Sequence, residues 1–159
     1  TTLPLQNYAN ETVTKFTGTI ELIAGNTKNS IIGTDGDDTI TGTAGAEFIV
    51  TGAGTDTIST GGGADYIILA AGEGSTTLAN ANTVAGHLTE PTTGTSGWTN
   101  GTDKFALGGL TFDDLTIEAD TTTVGDTNIS YNGEYLMVVT GLAHGYITEN
   151  DFVLTSEIV

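Results

Sequence analysis

Apolar residues recur at every ninth position through the first half of the chain. Glycine or threonine stands four positions before each of them, and mostly an acid or an amide stands two positions before. Glycine permits a tight turn with positive φ, and the polar-aliphatic-polar triplet is typical of a short strand with one inward side chain. Each nine-residue unit therefore predicts one turn and one strand, with the inward positions at Leu22, Ile31, Ile40, Ile49, Ile58 and Ile67.

Two such units make 18 residues, which we expect to form one complete coil. Alternate strands then fall in two parallel sheets, and alternate turns fall on two edges. The sequence thus predicts an all-β protein with a parallel β-roll over residues 21–76. Residues 1–20 are expected to form an N-terminal segment that caps the open end of the roll.

The second half of the chain has a different pattern. Residues 77–102 are rich in Ala, Gly, Thr and Asn, which predicts a long loop. Residues 103–159 contain short apolar runs, two of them joined by Asn132-Gly133, a strong hairpin turn signal. We expect this part to be an antiparallel β C-terminal cap.

The charge of the chain excludes several classes of partner. Three basic residues stand against 20 acidic ones, which gives a formal net charge of −17. Such a chain repels nucleic acid and anionic lipid, so neither partner is expected. No stretch approaches the roughly 20 apolar residues of a membrane span, so no membrane insertion is expected either. There is no cysteine to form a disulfide or a thiolate site.

The acidic residues at the turns are candidate metal ligands. A solvated acidic face is the alternative explanation, but it does not account for the glycines in the same register. Carboxylates and turn carbonyls together form the all-oxygen shell that Ca²⁺ prefers over Mg²⁺ or Zn²⁺. Residues 18 apart are expected to stack, which on one edge gives the candidate ligands Gly33, Asp35, Gly36, Asp38, Thr51, Ala53, Gly54 and Asp56.

The other edge carries a second candidate series. It contains Asn29, Glu47 and Asp65, with Gly61 and Gly63 in the turn before Asp65. Glu47 is one methylene longer than the aspartate at the corresponding position of the best units. We expect a calcium site on this edge only if the longer side chain still reaches the ion.

The units Gly33–Thr41 and Thr60–Ile68 resemble the RTX nonapeptide G-G-x-G-x-D-x-U-x. The order of these units, followed by Gly101–Leu107 and Leu110–Leu115, is similar to the C-terminal modules of serralysin-type proteases, alginate epimerases and cyanobacterial RTX proteins. The resemblance covers about residues 30 to 155. It implies a right-handed roll that binds Ca²⁺, in a bacterial protein that is secreted to the outside or the surface of the cell.

The same resemblance implies an export signal in the C-terminal region. Type I secretion signals of these families often end in an acid followed by three apolar residues. Asp151-Phe152-Val153-Leu154 is similar to that ending, although five more residues follow it.

No catalytic motif accompanies these features. His87 and His144 are the two histidines, and neither stands in a metalloprotease or hydrolase motif. The pair Asp113-Asp114 is better explained by helix capping than by glycoside hydrolysis. We therefore expect no enzyme activity. Among the possible functions, a small enzyme that uses acids of the C-terminal half is the least favoured.

Two functions remain open from the sequence. The first is a calcium-dependent extracellular structural protein that self-associates, through the ends of the roll or through an apolar sheet face formed by Phe48, Val50, Tyr66 and Ile68. The second is a secretion and substrate-binding module of a larger enzyme such as a protease or polysaccharide epimerase. In that second case a polysaccharide is a partner class.

Overall fold

The computed structural model describes residues 19–21, 29–87 and 97–158, and this part of the chain is all-β, as the sequence predicts. Its strands are β1 Thr19–Glu21, β2 Asn29–Ile32, β3 Thr39–Thr41, β4 Glu47–Val50, β5 Thr57–Ser59, β6 Tyr66–Ala70, β7 Thr83–His87, β8 Trp98–Thr99, β9 Lys104–Gly108, β10 Thr116–Ala119, β11 Thr127–Tyr131, β12 Glu134–Thr140 and β13 Phe152–Leu154. Its helices are short 3-10 turns at Leu78–Asn80, Phe112–Asp114, His144–Tyr146, Glu149–Asp151 and Thr155–Glu157.

The strands form two sheets. The five-stranded sheet has the order β13-β9-β6-β4-β2, and all of its neighbouring strands are parallel. The eight-stranded sheet has the order β1-β3-β5-β7-β12-β11-β10, with β8 paired to β7. It is parallel from β1 to β12 and antiparallel from β12 to β10.

The repeat strands pair in the register that the nine-residue period predicts. Ile40 pairs with Ile58 in one sheet, and Ile49 pairs with Ile67 in the other. These inward isoleucines are buried, whereas Thr39, Thr41 and Thr57 on the outer face are exposed. Complete burial of such a side chain stabilises the folded state by about 1.5–3 kcal/mol, so the isoleucine ladder holds the two sheets together.

The first strand departs from the 18-residue spacing. Ile20 pairs with Ile40, 20 positions away, where the period places Leu22. This register still pairs an apolar residue with Ile40. Leu22 and residues 1–18 of the predicted cap lie outside the described residues, and the last two residues of the predicted cap, Thr19 and Ile20, belong to β1.

Residues 77–102 differ from the loop that their composition predicts. They include a 3-10 turn, the strand β7 and the short strand β8. β7 joins the repeat sheet because Thr83-Val84 continues the polar-aliphatic alternation of Thr57-Ile58, and the two pairs lie in register. Val84 is buried in the same core as the repeat isoleucines.

Residues 103–159 are mixed rather than wholly antiparallel. β10, β11 and β12 form the antiparallel part, and Asn132 and Gly133 make the predicted hairpin turn with φ of 47° and 81°. β9 and β13, however, extend the parallel sheet beyond β6. The reason lies in the local pattern, since Asp103-Lys104-Phe105 repeats the acid-x-apolar spacing of Asp65-Tyr66-Ile67.

One hydrophobic core runs through both halves of the chain. Trp98 stacks on Phe105 with ring centroids 4.9 Å apart, and Phe105 contacts Phe152 at 5.5 Å. Phe152 in turn contacts Phe112 at 5.1 Å. The repeats and the C-terminal strands are therefore parts of one packed structure.

Candidate metal centre

The turns of the roll stack on two edges. We call the series 33–38, 51–56 and 71–82 the first edge, and the series 42–47, 60–65 and 99–103 the second edge. On each edge a turn lies directly against the turn that comes one coil later. Both candidate series predicted from the sequence therefore lie where the 18-residue coil places them.

Glycine is required where the stacked turns of the first edge touch. A Cβ atom on Gly33 would lie 1.9 Å from the carbonyl oxygen of Thr51, and one on Gly52 would lie 2.0 Å from that of Thr34. Gly54 has a φ of 132° and would bring a Cβ within 2.7 Å of the Gly36 oxygen. The absence of side chains lets backbone carbonyl groups of one turn approach the next turn closely.

A ladder of hydrogen bonds joins the acids along the first edge. The backbone N–H of Asp38 donates to Oδ1 of Asp56 at 2.9 Å. The backbone N–H of Asp56 donates to Oδ1 of Asn82, also at 2.9 Å. Asp38 and Asp56 are thus adjacent, and Asn82 continues their series.

The second edge repeats this ladder. The backbone N–H of Glu47 donates to Oδ1 of Asp65 at 2.8 Å, and that of Asp65 donates to Oδ1 of Asp103 at 2.9 Å. Oδ2 of Asp103 accepts the N–H of Thr99 at 2.7 Å. The ladder therefore continues from the repeats into the C-terminal half.

Two carboxylate oxygens on the first edge are buried without a hydrogen-bond partner. They are Oδ1 of Asp38 and Oδ2 of Asp56, in side chains that are 2% and 0% exposed. The other oxygen of Asp38 accepts the backbone N–H of Thr34 at 2.7 Å and its hydroxyl at 2.9 Å. A buried carboxylate oxygen is costly unless a donor or a cation compensates it.

The environment of Asp56 disfavours its charge in the absence of a cation. Burial raises the pKa of Asp56 from its ordinary 3.8 to about 6. The charges of Asp38 and Asp37 contribute to this rise, while the hydrogen bond from the Asp38 backbone acts in the opposite direction. A divalent cation beside Asp38 and Asp56 would favour the ionised carboxylates.

The glutamate of the second edge has a different environment. Glu47 is 0% exposed, and its Oε2 accepts the backbone N–H of Thr43 at 2.8 Å. Its Oε1 accepts the hydroxyl of the same threonine at 2.6 Å. Both oxygens of Glu47 therefore have donors within the protein.

The donor set of the first edge fits calcium. Among the described residues there is no group of three or more His, Asp or Glu side chains able to hold a metal by themselves. Two carboxylates and the converging turn carbonyls supply oxygen ligands, and Ca²⁺ takes six to eight oxygens, often including backbone carbonyls. Imidazole and thiolate are absent from this edge, so the donor chemistry does not favour Zn²⁺.

The other residues predicted to bind calcium differ in their burial and in their contacts. Thr51 is buried, and its hydroxyl accepts the side-chain amide of Asn82 at 3.3 Å. Asp35 and Ala53 are exposed. Asn29 pairs through its backbone with Glu47. In the turn before Asp65, positive φ is found at Gly61 and Gly63.

The sequence interpretation missed Asn82 and Asp103 as members of the two ladders. Each stands two positions before a buried apolar residue, as the repeat acids do. Insertions hid them, because 26 residues separate Asn82 from Asp56 and 38 separate Asp103 from Asp65. Both residues keep the local order of an acid or amide, any residue and an apolar residue, but they do not follow the previous unit at the nine-residue interval.

The comparison with family models decides the nature of these turns. Residues 23–58 and 41–75 match the model of the RTX calcium-binding nonapeptide repeat (4 copies). This chain carries RTX calcium-binding repeats. No curated protein matches the chain in sequence.

One solved structure with some similarity to this chain is the solution structure of the AlgE6R3 subunit from the Azotobacter vinelandii mannuronan C5-epimerase. The two are 19% identical, with a TM-score of 0.46. The match covers 86% of this chain and 83% of that chain.

Three of the side chains that were candidates for catalysis either cap a 3-10 turn or lie exposed on the surface. Asp114 forms a capping box with Thr111 at the 3-10 turn Phe112–Asp114, and the two hydrogen bonds from Thr111 lower the pKa of Asp114. Asp113 beside it and His144 are exposed.

In the part of the chain that the structure describes, no helix has the length and apolar character needed to span a membrane.

The glycine contacts predict a sharp contrast between two neighbouring residues. Gly61→Ala places a Cβ 1.9 Å from the Thr43 oxygen at a φ of 93°, whereas Gly62→Ala meets nothing nearer than 3.9 Å. We expect Gly61→Ala to lower the free energy of unfolding by more than about 1 kcal/mol, and Gly62→Ala to change it by less. Urea unfolding followed by circular dichroism measures both, and equal losses would contradict the stacked geometry.

The pKa of Asp56 predicts a pH-dependent stability in metal-free buffer. The folded-state pKa lies above the ordinary value, so the folded state binds more protons between pH 3.8 and about 6. The stability contributed by Asp56 is therefore lost as the pH rises through that interval. Asp56→Asn removes the charge and retains an oxygen that can accept the Asp38 N–H.

With a chelator present, folding induced by a stabilising osmolyte and followed by circular dichroism should need less osmolyte for Asp56→Asn than for the wild type at about pH 7.5, with the difference vanishing near pH 3.8. Asp113→Asn, at an exposed site, serves as the control for loss of one negative charge. A wild type more stable than Asp56→Asn at the higher pH would contradict the assignment.

Proposed function

We propose that this chain is a secreted, non-enzymatic structural protein that folds when calcium binds to its turns. The observation that carries the proposal is the pair of buried oxygens, Asp38 Oδ1 and Asp56 Oδ2, which lack hydrogen-bond partners on the first edge. Asp38 and Asp56 would hold the ion together with turn carbonyls. Bound calcium supplies the positive charge that compensates these carboxylates.

The acidity of the chain supports a coupling between export and folding. At a net charge of −17 the chain repels itself, and burial of Asp56 is unfavourable without a cation. RTX proteins are typically extracellular, where calcium is abundant, whereas the cytoplasm holds little free calcium. The chain would therefore stay unfolded until it reaches the outside of the cell.

The energies involved are adequate for such a switch. Extracellular calcium modules bind with dissociation constants of about 10⁻⁴ to 10⁻³ M. A tenfold excess of calcium over the dissociation constant stabilises the folded state by about 1.4 kcal/mol per site. Because folded proteins are only marginally stable, one or two such sites change the folded fraction substantially.

A calcium titration tests this proposal. We expect circular dichroism in chelator to show little β-structure, and β-structure to appear on addition of millimolar calcium. Asp56→Asn should reduce the apparent calcium affinity by about tenfold or more because it removes a charged ligand, while exposed Asp113→Asn leaves the affinity unchanged. Wild-type protein with the same spectrum and the same unfolding midpoint with and without calcium would exclude calcium-coupled folding.

The outer face of the five-stranded sheet supports self-association as part of the proposed function. Phe48 and Tyr66 stack on this face with ring centroids 5.0 Å apart and an interplanar angle of 8°. Val50 and Ile68 lie on the same face, and Ile32, opposite Val50, is 59% exposed. β9 and β13 extend the sheet beside this face. A second copy of the chain is the occupant that a surface layer or filament requires.

Sedimentation velocity in millimolar calcium tests the association. We expect the wild type to form oligomers as its concentration rises, and Ile32→Glu to reduce them by placing a charge on the apolar face. Thr41→Glu adds the same charge on the outer face of the other sheet and should leave the oligomers unchanged. Wild-type protein that stays monomeric at every concentration would contradict this part of the proposal.

A second candidate is a secretion and substrate-binding module of a larger enzyme. The observation that favours it is the order of the parts, with RTX repeats followed by strands that continue the same sheets through β9, β12 and β13. In that case the apolar face would bind the catalytic part of the enzyme or a polysaccharide. Oligomers of the isolated chain that depend on Ile32 would favour the structural protein over this module.

A further inference from the structure

The first turns of the two edges share a Thr-x-Gly-x-acid pattern. The first edge reads Thr34-Asp35-Gly36-Asp37-Asp38, and the second reads Thr43-Ala44-Gly45-Ala46-Glu47. In both, the threonine four positions before the acid donates its backbone N–H to the acid, at 2.7 Å in the first turn and 2.8 Å in the second. Asp35 and Asp37 of the first turn are Ala44 and Ala46 in the second. Both turns nevertheless hold the acid through the same threonine, and the acid of the second turn is one methylene longer.

One carboxylate oxygen occupies the same place in both turns. A Cβ atom built on Gly33 would lie 3.0 Å from Oδ2 of Asp38, and one built on Gly42 would lie 3.0 Å from Oε2 of Glu47. Each of these oxygens also accepts the threonine N–H of its own turn. The first oxygen of each acid is thus fixed by its own turn.

The second oxygen is where the two turns differ. In the aspartate turn, the Thr34 hydroxyl donates to the oxygen that already accepts the N–H, at 2.9 Å, so Oδ1 of Asp38 is buried without a hydrogen-bond partner. In the glutamate turn, the extra methylene brings Oε1 of Glu47 to the Thr43 hydroxyl, at 2.6 Å. A buried oxygen that accepts such a hydrogen bond is no longer an unsatisfied acceptor.

We infer that Glu47 makes the first turn of the second edge independent of calcium, because its two oxygens are bound to Thr43 in place of a metal ion. This inference rests on the calcium-binding function proposed above, and it adds that the two edges differ in their need for metal. On the first edge, Asp38 directs an oxygen to the ion. On the second edge, the hydroxyl and N–H of Thr43 take over that compensation.

The length of one side chain therefore determines the occupancy of each position. Shortening Glu47 to aspartate reproduces the Thr-x-x-x-Asp pattern of Thr34 and Asp38, so one of its oxygens should lose the Thr43 hydroxyl as a donor. Lengthening Asp38 to glutamate reproduces the Thr-x-x-x-Glu pattern and allows its second oxygen to reach the Thr34 hydroxyl. Glu47→Asp should therefore create one calcium site, and Asp38→Glu should remove one.

Native mass spectrometry in excess calcium tests the inference, because it counts the bound ions and its charge-state distribution distinguishes folded from unfolded protein. The wild type gives the reference number of calcium ions. Glu47→Asp should bind one more ion than the wild type, and Asp38→Glu should bind one fewer. Glu47→Asn, which has the length of aspartate without its charge, should bind the wild-type number.

Each outcome has a defined meaning. Folded Glu47→Asp with the wild-type number of ions would overturn the inference, as would a gain in Glu47→Asn equal to that in Glu47→Asp. If Glu47→Asp fails to fold, Asp38→Glu decides, since retention of the wild-type number by that variant overturns the inference. A wild type that binds no calcium would instead refute the proposed function itself.

Discussion

The structure depends on the hydrogen bond between the backbone N–H of each acid and the side-chain oxygen of the acid one coil later. This bond connects Asp38 to Asp56 and Glu47 to Asp65, and it fixes the stacking of the turns. It also places like-charged carboxylates in a buried row. The fold thus concentrates negative charge along its edges, and a divalent cation is the natural compensation on the first edge.

Much of the repeat half could be predicted from the sequence. The length of the repeat and the register of its strands could be predicted from the spacing of the isoleucines, because an inward side chain at every ninth residue requires turns of uniform length between the strands. The pairing of Asp38 with Asp56 followed from the same spacing. The hairpin at Asn132-Gly133 was recognisable because its positive φ angles favour these two residue types.

The later strands could not be predicted from period alone. β7 and β9 keep the local acid or amide triplet, but insertions of different lengths precede them, and a fixed interval does not find such members. Both donors of Thr34 bind one oxygen of Asp38, whereas the two donors of Thr43 bind separate oxygens of Glu47. This difference depends on the length of the acidic side chain inside a packed turn. The sequence indicated that Glu47 was unusual, and only the geometry identified Thr43 as its partner.

The position of β13 bears on the timing of folding during synthesis. β13 pairs with β9, and β9 pairs with β6, so residues 47 and 38 positions apart must meet to complete the five-stranded sheet. Phe152 also closes the aromatic packing around Phe105. Such distant pairings form slowly. A nascent chain therefore cannot finish this sheet on the ribosome until residue 154 has emerged, which delays completion of the sheet until nearly the whole described chain has been made.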